Sequence, residues 1–324
     1  MANVFEKPEV YAATALELLR KEIKGAGLFV HKFGQADYAG AKGDVVNLKR
    51  PPILRARDAG FRTRNALVVD DIVQSKIQVK LTKHPYSRVE LSPEEATLDE
   101  VDYVRDVQAP QVRAIVEDFD ESIAAALKAA TFVHSVDFTA GATGAVGDPR
   151  KVARKAKRLL DTSKVPAAGR YWLVGAAVSE EIANCDKLLE VDASGLPEAL
   201  RDGVVGKLSG FIIIDWPSLG DDEGYFVHET AVALSAVAPV VPRGAAAGAT
   251  ISADGLAVTQ VWDYQSASMA DQSTVHAFTG ATPVTDPKLK ADGTVQITSG
   301  NVVFEFVRAV KTVFTEATEP PVGG

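Results

Sequence analysis

The stretch KIQVKLTKHPYSRVELSPEEATLD, Lys76 to Asp99, opens as a strand and closes as acid. From Gln74 to Leu91 it alternates: Ile77, Val79 and Leu81 fall on one face of an extended chain, Lys76, Gln78 and Lys80 on the other. Upstream, Val45-Val46-Asn47-Leu48 is a second short strand, ended by Pro51-Pro52. Leu54 to Asp71, between the two, is polar and too long for a tight turn. Together these segments predict a long hairpin with an extended tip. Its charge is lopsided. Lys49, Arg50, Arg55, Arg57, Arg62, Arg64, Lys76, Lys80, Lys83 and Arg88 are opposed only by Asp58, Asp70 and Asp71.

Downstream the sign reverses, through Glu90, Glu94, Glu95, Asp99, Glu100, Asp102 and Asp106. A helix is expected from about Pro110 to Ala130, with Val112, Ile115, Val116, Phe119, Ile123 and Leu127 on one stripe. Glu117, Asp118, Asp120 and Glu121 lie beside that stripe. At ~1.5 Å per residue this is a rod of roughly 30 Å. A long hairpin has little local core to bury it, so contact with the next copy of the same chain is the economical reading. Arg55, Arg57, Arg62 and Arg64 would then face Glu117, Asp118 and Glu121 of a neighbour.

Working outward, Pro8 to Lys24 reads as an amphipathic helix with Val10, Ala13, Leu16, Leu19 and Ile23 at helical spacing, stopped by Gly25 and Gly27. Gly141 to Gly147 is a loop and Arg150 to Leu160 a basic helix. Beyond Gly169 the chain is mixed α/β. Strands are expected at Tyr171–Val174, Phe211–Ile214, Tyr225–Val227, Ala257–Tyr264 and Val275–Thr279, and a helix at Ser179–Leu189. Ala231–Val237 is apolar without clear periodicity, and Pro242–Gly248 is a Gly/Ala-rich loop. Asn301–Phe314 alternates as a strand before a loose Pro/Gly tail.

Catalytic motifs are thin. Gly141-Ala142-Thr143-Gly144-Ala145-Val146-Gly147 has the spacing of a dinucleotide-binding loop, which needs a buried strand before it and a helix N-terminus facing the pyrophosphate. The preceding Val136-Asp137-Phe138-Thr139 reads as short and polar, and Asp148 would set a carboxylate near the phosphate. A flexible loop is the reading retained. His31, His84, His134, His228 and His276 are scattered without metal-ligand spacing. Cys185 is the only cysteine, so an intramolecular disulfide framework is excluded, and no motif supplies it with a base. No catalytic residue, cofactor site or metal site is expected. The basic run Arg150, Lys151, Arg154, Lys155, Lys157 and Arg158 fits a solvated helix face slightly better than a phosphate contact, and no aromatics interleave it for base reading.

Composition sets the outer limits. The chain has 324 residues, 46% hydrophobic and 24% charged, which excludes wholesale disorder. A net charge of −8 argues against tight nonspecific nucleic-acid binding by the protein as a whole. No apolar run approaches the ~20 residues of a bilayer span, and Glu6 and Glu9 interrupt any signal peptide. A soluble protein made inside the cell, with no membrane partner, is expected.

The order of elements is the informative feature. PEVYAATALELLRKEIKGAGLFVHKF (Pro8 to Phe33), GDVVNLKRP (Gly43 to Pro51) and the Lys76–Asp99 stretch resemble the arm and hairpin of tailed-bacteriophage major capsid proteins with the HK97-type fold. GRYWLVGAAVSEEIANCDKLLEVDASG (169 to 195), ALRDGVVGKLSGFIIIDWPSL (199 to 219), FVHETAVALSAVAPVVPRGA (226 to 245) and VWDYQSASMADQSTVHAFTGATPV (261 to 284) continue the likeness. The resemblance implies an α+β fold: an N-terminal arm (1–43), an extended β-hairpin loop (44–91) and a peripheral domain with a long spine helix (92–164). An axial α/β domain (165–279) and a return to the peripheral domain with a C-terminal tail (280–324) complete it. It further implies a non-enzymatic coat protein self-assembling as hexamers and pentamers into an icosahedral shell around double-stranded DNA, contacted non-specifically. Because the chain enters the arm immediately, the resemblance implies either a separate scaffolding protein or prior removal of an N-terminal scaffolding segment; a portal protein and a decoration protein are the other partners of such a shell. The implied location is the virion capsid, assembled in the host cytoplasm. Two rivals remain: an encapsulin-type nanocompartment shell, and a nucleotide-dependent oxidoreductase using Gly141–Gly147. Lys76, Lys80 and Lys83 with Asn47, Asn65 and Asn301 are the residue types of an inter-subunit isopeptide bond, which spacing alone cannot pair.

Overall fold

A computed structural model describes residues 25–33, 38, 45–50, 56, 58, 69, 75–92, 107–141, 146–184, 207–253, 256–290, 294–299 and 301–315. Helices are α1 (Gly25–Leu28), α2 (Ala109–Ala129), α3 (Pro149–Thr162) and α4 (Ala176–Ala183). The first strands are β1 (His31–Phe33), β2 (Val45–Arg50), β3 (Ser75–Lys80), β4 (Tyr86–Leu91), β5 (Ser135–Thr139) and β6 (Arg170–Val174). They continue as β7 (Lys207–Leu208), β8 (Phe211–Asp215), β9 (Glu223–His228), β10 (Val232–Val237), β11 (Ala247–Ala253) and β12 (Leu256–Gln265). Then follow β13 (Ala270–His276), β14 (Phe278–Pro283), β15 (Asp286–Pro287), β16 (Ile297–Thr298), β17 (Asn301–Val302), β18 (Phe304–Glu305) and β19 (Ala309–Thr315).

A six-stranded sheet, ordered β5-β19-β9-β6-β8-β7, separates two cores. Successive strand residues point to opposite faces. Trp172, Val174 and Phe226 therefore join Val152, Ala156 and Leu160 of α3 and Val178 and Ile182 of α4 in one core. Leu173, Tyr225 and Val227, pointing the other way, share a core with the α2 stripe Val112, Ile115, Val116, Phe119, Ile123 and Leu127. All six stripe residues are buried as the sequence pattern requires, each worth roughly 1.5–3 kcal/mol relative to an exposed side chain. Against α2 also lies the sheet β11-β12-β13-β4, and a third sheet, β1-β10-β14, closes the same core. β10 is buried at every position, which is why Ala231–Val237 shows no alternation.

The structure revises several expectations. Gly25 and Gly27 are themselves helical in α1 rather than stops, since glycine weakens a helix by only about 1 kcal/mol; residues 8–24 lie outside the described residues. The run from Gln74 to Leu91 is two strands. β3 pairs with β2 from Val45↔Lys80 to Arg50↔Ser75, whereas β4 pairs with β13. Pro85, which has no N–H to give a ladder, marks the break. Val275–Thr279 likewise spans the end of β13 and the start of β14. Asn301–Phe314 is broken into β17, β18 and β19, because Phe306 is drawn into the core and Arg308 turns to Asp286.

The expected residue ranges of the peripheral and axial parts also cut across the sheets. β5 and α3, from the 92–164 range, and β19, from the 280–324 range, belong to the six-stranded sheet and its cover. β11, β12 and β13, from the 165–279 range, lie instead beside β4 and against α2.

Candidate functional site

The hairpin β2–β3 pairs with no other strand among the described residues, so its attachment at the base decides where it points. Ile77 and Val79 are buried against Ala233 and Val284, with Phe33 packed beside them. Beyond β3 the backbone crosses β14. Thr82 and Lys83 donate to the carbonyl of Thr279 at 2.9 and 3.0 Å, and Thr279 N–H donates back to Lys83 at 3.0 Å. Gly280 permits this approach: a β-carbon there would overlap the carbonyl of Lys80. The antiparallel register set by Lys83↔Thr279 continues through the bend to Tyr86↔His276, so both chains change sheets together at Pro85 and Ala277. Ala277 N–H donates to the Pro85 carbonyl at 3.1 Å.

Two histidines sit at that corner. His84 Nε2 and His276 Nδ1 are 3.0 Å apart, so one ring donates and the other accepts. His84 also packs on Phe278 with ring centroids 4.5 Å apart. Burial, then the neighbouring His84, holds the His276 pKa below the ordinary imidazole value.

Helix α2 is fixed to its sheet by a buried amide network that sequence reasoning did not find. Gln108 Nε2 donates to Gln260 Oε1 at 2.8 Å, and Ser273 Oγ donates to Gln111 Oε1 at 3.0 Å. Gln111 Nε2 reaches the carbonyls of Ser273 and Ser87 at 2.9 and 3.2 Å. Gln108 and Gln111, three residues apart beside an apolar stripe, were the only signal. Because these acceptors sit on β13 and β4, a slip of the helix would strand buried polar groups at a cost of about 1–3 kcal/mol each. At its other end α2 is tied to the six-stranded sheet by Lys128 Nζ, 2.7 Å from Glu223 Oε1. That hydrogen bond, then the carboxylate charge, raises the Lys128 pKa. Burial works to raise Glu223, but the Lys128 hydrogen bond, the Gly220 N–H and the charges of Lys128 and Lys311 prevail and lower it. Burial and the Glu223 charge push Tyr225 to about 12. Arg308 closes the fold with two bonds to Asp286, 2.6 and 2.7 Å, and a third to Thr230 Oγ1 at 2.7 Å.

The residues expected to meet a neighbour are placed unequally. Arg55, Arg57, Arg62 and Arg64 lie outside the described residues. Glu117 and Glu121 are exposed on α2. Asp118 is engaged within its own chain, 3.4 Å from Lys83 Nζ. One contact of basic hairpin exit and acidic helix is thus intramolecular.

The strand before the Gly141 loop is genuine: β5 buries Val136 and Phe138, contrary to the short polar run expected. The site nonetheless does not fit a dinucleotide. Among the described residues β5 is an edge strand with β19 on one side alone, so its C-terminal end is not flanked by strands on both sides as at a switch point of strand order. The α3 N-terminus is capped by the Asp148 carboxylate, which accepts from Arg150 N–H at 3.0 Å where a phosphate would sit. Gly141 N–H is taken by Glu181 Oε1 at 2.8 Å. Residues 142–145 and Cys185 lie outside the described residues. Among the described residues no group of three or more His, Cys, Asp or Glu could hold a metal, and no helix is long and apolar enough to cross a membrane.

No family model matches the chain, and no curated relative does. Solved structures do. A chain of the capsid of Cyanophage P-SCSP1u superposes with a TM-score of 0.59 at 12% identity, covering 98% of this chain and 91% of that one. A structure from Mycobacterium phage Che8 gives 0.56 at 16% identity, covering 90% of each chain. The mature capsid of bacteriophage PhiM1 gives 0.52 at 11% identity, covering 84% and 82%. The fold is the HK97-type capsid fold.

Proposed function

We propose that the chain is the major coat subunit of a tailed phage, assembling as hexamers and pentamers into an icosahedral shell that packages double-stranded DNA. The observation that carries this is the fold likeness to phage capsids over nearly the whole chain. A two-stranded ribbon is marginal by itself. Held at its base by Gly280 and Thr279, it is suited to lie along a neighbouring subunit, with its arginines facing Glu117 and Glu121 there. Exposed ion pairs of this kind are worth about 0–1 kcal/mol each, enough for register and multiplied over a shell. Heterologous contacts that close into rings generate such a shell.

In this reading α2 is the spine, and with β4 and β11–β13 it forms the peripheral part. The six-stranded sheet with α3 and α4 is the axial part. The role is structural rather than catalytic, and the subunit works with a scaffolding protein, a portal and a decoration protein, in a virion assembled in the host cytoplasm. The test is electron microscopy of the purified protein, alone and co-expressed with a scaffolding partner, with light scattering on the same samples. Uniform shells, tubes or capsomer rings are expected; a stable small oligomer under both conditions would overturn the reading. Shells that enclose an enzyme instead of a genome would assign the encapsulin alternative.

A further inference from the structure

We propose that the solvent face of α3 is a docking surface for duplex DNA, gripped through its phosphates. The helix is sharply divided. Val152, Ala153, Ala156 and Leu160 are buried under the six-stranded sheet, while Arg154, Lys155, Lys157 and Arg158 are exposed. At about 100° per residue those four cations share an arc of about 160°. None of the four makes an ion pair among the described residues. The carboxylates nearest in sequence are occupied: Asp161 holds the buried Arg170 at 2.7 Å, and Asp148 caps the helix. Among the described residues no carboxylate neutralises these four cations.

The chemistry selects the partner. A protein partner binds through buried aromatic or apolar anchors, and this face offers none between its cations. A phosphate backbone needs only a field of cations on flexible stems, and the absence of aromatics makes the contact indifferent to sequence. From Arg154 to Arg158 the helix advances about 6 Å, and the long stems let the four cations follow successive phosphates of one strand. Naming the polyanion as duplex DNA rests on the shell reading; the surface itself does not.

The test is fluorescence anisotropy of a labelled DNA duplex with the full chain between 50 and 200 mM salt. Four phosphate contacts give a log–log salt slope of about −3 to −4. Arg154→Gln/Lys155→Gln/Lys157→Gln/Arg158→Gln should flatten the slope and weaken binding by about 100-fold at the lowest salt. Arg154→Lys/Arg158→Lys should retain it. No binding by the parent chain, or equal binding by the fourfold variant, would overturn the proposal. So would tighter competition for this face by a peptide spanning Glu90–Asp106 than by DNA, which would assign it to an acidic segment of a neighbour. Microscopy of the same proteins separates the two readings. Shells from a variant that no longer binds DNA support both, whereas DNA binding by a parent chain that never assembles supports this one and removes the shell.

Discussion

The carbonyl of Lys80 occupies the position that a β-carbon on residue 280 would need. One backbone crossing thus fixes how the hairpin leaves the body of the subunit. Gly280→Ala should push β3 off β14, with a cost of about 1–3 kcal/mol for overpacking. Thermal unfolding and limited proteolysis between 51 and 74 would both report it. Gly244→Ala, at a glycine with open space around it, is the matched control and should change neither.

Gln108 and Gln260 face each other in a dry environment at 2.8 Å. Replacing either one by Leu removes this buried hydrogen bond and should cost about 1–3 kcal/mol. Replacing both should cost less than the sum of the single changes. Chemical denaturation of the four proteins measures the coupling; strict additivity would mean the pair does not act as a unit.

Acid should loosen the fold through its histidines. Burial is the first cause of a lowered pKa at His31, His228 and His276, joined by Arg308 at the first and His84 at the last. The unfolded chain then binds more protons than the native one just below pH 6.5, so stability falls as pH drops through that value. The Glu223 contribution is separate: its pKa is lowered, so that stability is present above 4.5 and disappears as pH falls further. Urea midpoints should decline from pH 7.5 to 5, less steeply in His276→Asn. A flat profile over that interval would contradict these assignments.

Reversing Arg55, Arg57, Arg62 and Arg64 to Glu should block or misdirect assembly while the subunit stays folded by circular dichroism. Adding Glu117→Lys and Glu121→Lys should restore part of it if the hairpin lies over a neighbour's helix. Normal shells from the first variant would sink that arrangement.

The long helix was legible because its stripe from Val112 to Leu127 is a local, 3.6-residue signal, and every member is buried. The β2–β3 pairing was legible from alternation on both sides of a polar tip. What failed is non-local. Alternation runs on through Leu81 to Pro85 although the chain changes partners there, and a sequence records the face of a strand but not the identity of its neighbour. The same holds for Ala277 and for β19, whose partners are Ser135–Thr139 and Glu223–His228. The amide network and the Arg308–Asp286 clamp were invisible because their members meet only after the sheets are stacked. Asp118 was assigned outward by its charge alone, yet Lys83 of its own chain reaches it.

The place of β19 has a consequence for biosynthesis. It lies between β5 and β9, pairing in parallel with the former and antiparallel with the latter. Among the described residues β19 is the only strand that pairs with β5, so in a nascent chain β5 has no strand neighbour there until residues 309–315 have emerged. Domains otherwise tend to fold as they are made, N-terminal parts first. Here the six-stranded sheet is completed by a segment far downstream of β5, so chains that have not yet reached it cannot present the finished sheet to one another. Closure of the sheet waits on β19.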